Sequence, residues 1–158
     1  MNVIAIVGPG KKAALASRYE AYPNVQIHEG RHGSAAWGQL MASVGKTATV
    51  VVDNVGGAGS IDLIGCLKQG GRYVTSGAIA GPIIELDLRT LYLNDITMFG
   101  STTWLPGVME NLVTYINEGT CNPIVSATFE LSQIAEAQEL FMAKKHVGKI
   151  VLRVGEVG

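Results

Sequence analysis

The chain has 158 residues, 12 basic and 13 acidic side chains, and a formal net charge of -1. Hydrophobic residues make up 47% and charged residues 16%, which excludes intrinsic disorder, and the near-neutral balance excludes a strongly basic nucleic-acid binder. No apolar run approaches the roughly 18 residues of a membrane span. The opening segment lacks the basic region of a secretory signal, and Cys66 and Cys121 stand far apart with no Cys-x-x-Cys, so neither a disulfide framework nor a metal site is expected. The expected compartment is the cytoplasm, with no membrane partner.

In chain order, the apolar run Val3–Val7 reads as a buried strand. Further strands are expected at Val25–Ile27, Thr49–Asp53, Arg72–Ser76 and Ile96–Phe99. Most lack polar alternation, the mark of a parallel sheet covered on both faces. Ser34 can cap a helix whose inner face is Trp37, Leu40, Met41 and Val44, spaced i, i+3, i+4, i+7. A second helix is expected from about Pro106 to Glu118, with Val108, Leu112, Val113 and Ile116 inward and Gly119 ending it. Then come a strand at Ile124–Phe129, a helix capped by Ser132 with Ile134, Ala137, Leu140 and Phe141 on one face, and a strand at Lys149–Val154. Strand and helix alternating in roughly 30-residue units predict right-handed βαβ crossovers and an α/β fold with a doubly wound, mostly parallel sheet.

Two loops carry candidate chemistry. Asp53-Asn54-Val55-Gly56-Gly57-Ala58-Gly59-Ser60 follows a strand directly. It fits part of a dinucleotide-binding glycine turn, and it also resembles the first motif of S-adenosylmethionine-dependent methyltransferases. Both turns need an acid at the end of the next strand, and Val74-Thr75-Ser76-Gly77 has none. A tight turn beside the carboxyl edge of the sheet is the better reading. The second loop, Gly8-Pro9-Gly10-Lys11-Lys12, has no P-loop spacing. No acid ends the strand before it. Two lysines follow instead, which would suit a 2′-phosphate, or else form the solvated first turn of a helix. Residues 1–48 carry +3 and the rest -4, so the positive end coincides with this loop. His28, His32 and His146 are scattered and suggest no catalytic set or metal pair.

From Thr49 onward a series of segments stands in a telling order: Val50-Val51-Val52-Asp53-Asn54-Val55-Gly56, Leu67-Lys68-Gln69-Gly70-Gly71-Arg72-Tyr73-Val74, Ser76-Gly77, Leu88-Arg89-Thr90-Leu91-Tyr92-Leu93, Ile96-Thr97-Met98-Phe99-Gly100-Ser101 and Gly148-Lys149-Ile150-Val151-Leu152. In this order and spacing the chain resembles the medium-chain dehydrogenase/reductase superfamily, the quinone-oxidoreductase and zinc alcohol dehydrogenase relatives. Val3–Lys12 looks like the second strand of their Rossmann-like domain and the loop after it.

The resemblance implies a Rossmann-like domain that starts after its first strand, with 1–119 as its main part and 120–158 as a strand–helix–strand appendage. The family's catalytic domain, its first strand and its pyrophosphate turn have no counterpart in the chain, so a truncated NADP(H)-binding domain, inactive alone and with cofactor binding weakened or lost, is expected. The family's first strand is central, and its loss leaves a gap that either closes or is filled by another chain's strand. Position by position, Gly8, Lys11 and Lys12 would lie at the adenosine end, with Lys12 nearest the 2′-phosphate and His28 or Arg31 assisting. Asn54, Val55 and Gly56 would flank the middle of the cofactor. Gly77, Ala78, Ile79, Ser101 and Thr102 would border the nicotinamide. No catalytic residue and no metal ligand is implied. The expected partners are a second copy, joined along the edge strand Ile96–Ser101, and a catalytic domain on a separate chain. A non-catalytic dimeric interaction module is the alternative, and a methyltransferase the weaker one.

Overall fold

The computed structural model describes residues 1–155. The chain divides into two compact units, one from Met1 to Trp104 and one from Leu105 onward. The first unit runs β1 (Val3–Val7), α1 (Lys12–Tyr19), β2 (Val25–Glu29), α2 (Ala35–Val44), β3 (Ala48–Asp53), α3 (Gly59–Gly65), β4 (Leu67–Thr75), α4 (Leu88–Tyr92), β5 (Thr97–Gly100). The second holds α5 (Val108–Asn117), β6 (Val125–Glu130), a 3₁₀ turn (Leu131–Gln133), α6 (Ile134–Met142) and β7 (Lys149–Arg153).

Every ladder is parallel, as the unbroken apolar strands imply. β1 pairs with β2 in the register Val3↔Val25 to Val7↔Glu29. β3, β4 and β5 form a second ladder in that order. Among the described residues β1 and β3 are not paired with each other, so the chain does not close the expected gap. The core of this unit is Ile64, Leu67, Tyr73 and Ile96, with Ala48, Val51, Ile84, Leu86 and Leu91 packed around it. Each such side chain taken fully out of water contributes about 1.5–3 kcal/mol.

Local signals set the helix ends. The Ser34 hydroxyl accepts from the amide of Trp37 at 3.2 Å, and Trp37 and Leu40 are buried on the expected face. Gly119 takes a left-handed φ of 73° just past α5. The expected Ser132 cap is not formed. The chain first makes the 3₁₀ turn, and Glu130 with Gln133 closes a capping box around it. The expected inner face of α5 also differs: Val108, Leu112, Val113 and Ile116 are 38–52% exposed. Their spacing marks an apolar stripe, but spacing does not supply the surface that covers it.

In the second unit β7 pairs with β6, parallel, from Val125↔Lys149 to Glu130↔Arg153. β7 therefore completes a ladder of its own there. No helix among the described residues is long and apolar enough to cross a membrane.

Candidate functional site

The carboxyl edge of β3-β4-β5 is organised by one buried carboxylate. Asp53, at the end of β3, is 3% exposed. Its Oδ1 accepts from the amides of Val55 at 2.8 Å and Gly56 at 3.0 Å. Its Oδ2 accepts from Ser60 Oγ at 2.6 Å and from the Tyr73 hydroxyl at 2.7 Å. Burial is the largest single influence and pushes this carboxyl up, but the hydrogen bonds from Ser60, Gly56, Tyr73 and Val55 together outweigh it and hold Asp53 below its ordinary value. Burial raises the Tyr73 hydroxyl, and its bond to Asp53 adds to the shift. The pair is thus an ionised acceptor facing a protonated donor, the arrangement a buried charge needs.

This carboxylate fixes a turn that must come very close to its neighbour. Gly56 and Gly57 have φ of 69° and 74°. A Cβ on Gly56 would stand 2.8 Å from Ala78 Cα, and one on Gly57 would stand 2.9 Å from Ala80 O. Only glycine satisfies both the backbone angle and the approach. Across this contact Ala80 N donates to Val55 O at 2.8 Å, and Ser76 N donates to Asp53 O at 3.0 Å. Ser101 N donates to Thr75 O at 2.9 Å, which brings in the loop after β5. Asn54, Val55, Gly56, Gly77, Ala78, Ile79 and Ser101, with Thr102 following it, therefore gather at one sheet edge.

The other expected residues sit at the carboxyl ends of β1 and β2. Gly30 N donates to Val7 O at 3.1 Å, which ties the loop after β2 to the end of β1. Gly8, Lys11 and Lys12 follow β1, and Arg31 follows β2, its amide reaching Ser34 Oγ at 3.4 Å. His28 lies inside β2, its Nε2 3.4 Å from Gln26 Oε1. It lines a cleft of about 410 Å³ between α1 and β2, together with Lys12, Tyr19 and Tyr22.

Two features depend on contacts that no local motif announces. The first is a link from the loop after β2 and the first turn of α2 to α3: Trp37 Nε1 donates to Asp62 Oδ2 at 2.6 Å, His32 Nε2 stands 3.4 Å from the same oxygen, and the His32 and Trp37 rings meet edge-on. The second is Glu29. Its Oε1 accepts from the Lys12 amide at 2.7 Å. That bond, reinforced by the amides of Gly10 and Lys11 and the charge of Lys12, holds the Glu29 carboxyl below its ordinary value. No acid ends β1 itself; the parallel register Val7↔Glu29 supplies one from the neighbouring strand.

A parallel α/β sheet whose closely packed glycine loops line its carboxyl edge defines a nucleotide-binding class of domain. Residues 27–152 match the family model described as zinc-binding dehydrogenase. The chain belongs to that family. It is 28% identical over 161 residues to quinone oxidoreductase-like protein 2 of Bos taurus, covering 96% of this chain and 45% of that protein. Among solved structures, an alcohol dehydrogenase described as putative, from Sinorhizobium meliloti 1021, superposes with a TM-score of 0.77 at 39% identity, over 94% of this chain and 40% of that one. The 2-octenoyl-CoA carboxylase reductase CinF, solved in complex with NADP and 2-octenoyl-CoA, shares the fold at a TM-score of 0.77 and 22% identity, over 98% of this chain and 38% of that one. The chain thus spans about half the length of the curated relatives it matches.

Among the described residues no group of three or more His, Cys, Asp or Glu side chains gathers to hold an ion.

Proposed function

We propose that the chain binds a nicotinamide dinucleotide, NADP(H), as the nucleotide-binding part of an oxidoreductase. One observation carries this reading: the loops after β3, β4 and β5 meet at one carboxyl edge of a parallel sheet, locked by Asp53 and by Gly56 and Gly57, and open α/β sheets take ligands at that edge.

The residues present fit such a ligand. Space lies open where a Cβ on Gly8 would stand. The amide of Lys12 already carries an anionic group, the Glu29 carboxylate, which is the donor chemistry that suits phosphate. Gly8, Lys11, Lys12 and Arg31 would take the adenosine end. Asn54, Val55 and Gly56 would flank the middle, and Gly77, Ala78, Ile79, Ser101 and Thr102 would border the nicotinamide. The dinucleotide supplies hydride when bound; these residues bind and orient it.

Turnover also needs a positioned substrate and a proton source. In this reading those come from a separate catalytic domain, and residues 1–158 alone reduce no quinone or enone. The same reading includes a second copy joined along β5. Its ladder with β4 leaves the other edge without a partner among the described residues, and Met98 and Phe99 are 37% and 50% exposed. An open apolar edge strand invites pairing.

The test is the melting temperature with NADPH, NADH or S-adenosylmethionine, since a ligand that binds only the native state raises it. A rise with a nicotinamide dinucleotide supports the reading. A rise with S-adenosylmethionine alone overturns it.

A further inference from the structure

The amide that the proposed function offers to the adenosine 2′-phosphate is already engaged from within the chain. Glu29 stands at the end of β2, opposite Val7 in the parallel ladder. Its side chain crosses to the start of α1, and Oε1 sits 2.7 Å from Lys12 N. We propose that Glu29 is the specificity-determining residue of the adenosine end: its carboxylate occupies the anion seat at Lys12, so a 2′-phosphate binds there only by displacing it. The inference rests on the dinucleotide reading above.

The argument is one of charge and donor count. The seat offers the Lys12 amide, reinforced by the amides of Gly10 and Lys11 and by the Lys12 charge, and these same groups keep the Glu29 carboxyl ionised. A phosphate arriving there meets a carboxylate that uses those donors, and two anions on one amide repel. An unphosphorylated ribose meets no such repulsion, and its 2′-hydroxyl can donate to a carboxylate, the contact by which nucleotide-binding sheets hold that sugar. Lys11 and Lys12 favour the phosphorylated sugar; Glu29 opposes it. The selectivity of the site is set by that competition, which the charge pattern of the loop alone does not reveal.

The experiment compares adenosine 2′,5′-bisphosphate with 5′-AMP by titration calorimetry on the wild type, Glu29→Gln and Glu29→Ala. Glu29→Gln removes the charge and keeps a hydrogen-bond acceptor; Glu29→Ala vacates the seat. Removing the like charge should tighten the bisphosphate about tenfold, more for Ala than for Gln, while 5′-AMP, which loses the carboxylate acceptor for its 2′-hydroxyl, binds no tighter. Circular dichroism melts confirm that each variant folds. Unchanged or weaker bisphosphate binding in folded variants, with 5′-AMP still bound, overturns the role of Glu29 and spares the dinucleotide reading. Failure of both nucleotides to bind any of the three proteins overturns the reading and the inference together.

Discussion

The Tyr73 hydroxyl donates to Asp53 Oδ2 at 2.7 Å across the β3-β4 ladder. Tyr73 pairs in register with Val51, so its ring reaches a side chain two residues further along the same face of β3. A core aromatic thereby orients the carboxylate that shapes the loop at the sheet edge, and stability and site geometry share one contact. Tyr73→Phe keeps the ring and deletes the bond. A hydrogen bond to a charged group contributes about 1.5–3 kcal/mol, so the melting temperature should fall by roughly 4–10 °C at this chain length.

Asp53 should also make stability depend on pH in a defined sense. Its folded-state value lies below the ordinary carboxylate value. The stabilisation is therefore complete above the unfolded value of about 3.9 and is lost as pH falls through the lower folded value. Melts of wild type and Asp53→Asn should differ most at neutral pH and converge in acid. A gap that widens below about pH 4, the unfolded value, would contradict the assignment.

The glycines of the site should separate into two kinds. Gly57 combines a left-handed φ with a 2.9 Å approach to Ala80 O, whereas a Cβ on Gly8 meets nothing within 4 Å. Gly57→Ala should cost at least about 1–3 kcal/mol, the range for a strained backbone, while Gly8→Ala leaves the melt nearly unchanged. Denaturant titration of both variants checks this.

Much of this arrangement is legible in the amino-acid sequence. The β-branched run of β1 predicts its own bounds, and Ser34 and Gly119 mark helix ends because capping is local chemistry. The glycine turn after Asp53 is visible as a turn. Its cause is not, because Tyr73 lies 20 residues away and enters only through strand register. Glu29 is hidden for the same reason: it acts on Lys12 across a parallel ladder, 17 residues distant. Ser132 misleads because Glu130, two residues earlier, caps the 3₁₀ turn with Gln133.

Lys12 and Glu29 should pull the cofactor preference in opposite directions. If Lys12 meets the 2′-phosphate, Lys12→Ala should weaken NADPH roughly tenfold or more, one charge-assisted contact, and leave NADH unchanged. Equal losses for both, read by fluorescence titration, would refute that role.

The proposed dimer has a directional test. Ser101 N donates to Thr75 O, so by the two-residue alternation of a strand the amides of Thr97 and Phe99 face β4 and that of Met98 faces the open edge. Met98→Pro should remove an outward donor and spare the inner ladder. Light scattering at tens of micromolar should give about twice the 16.7 kDa of the chain for wild type and the monomer mass for the variant. A wild-type monomer would remove this interface.

The central claim, a dinucleotide held along the carboxyl edges of these ladders, is tested most directly by mapping backbone amide shifts in ¹⁵N-labelled protein as NADPH is added. The account predicts saturable shifts in three places: Gly8 to Lys12, Asn54 to Gly57 with Gly77 to Ala80, and Ser101 to Thr102. Shifts confined to α5, β6, α6 and β7, or no shifts at millimolar NADPH and NADH, would contradict it.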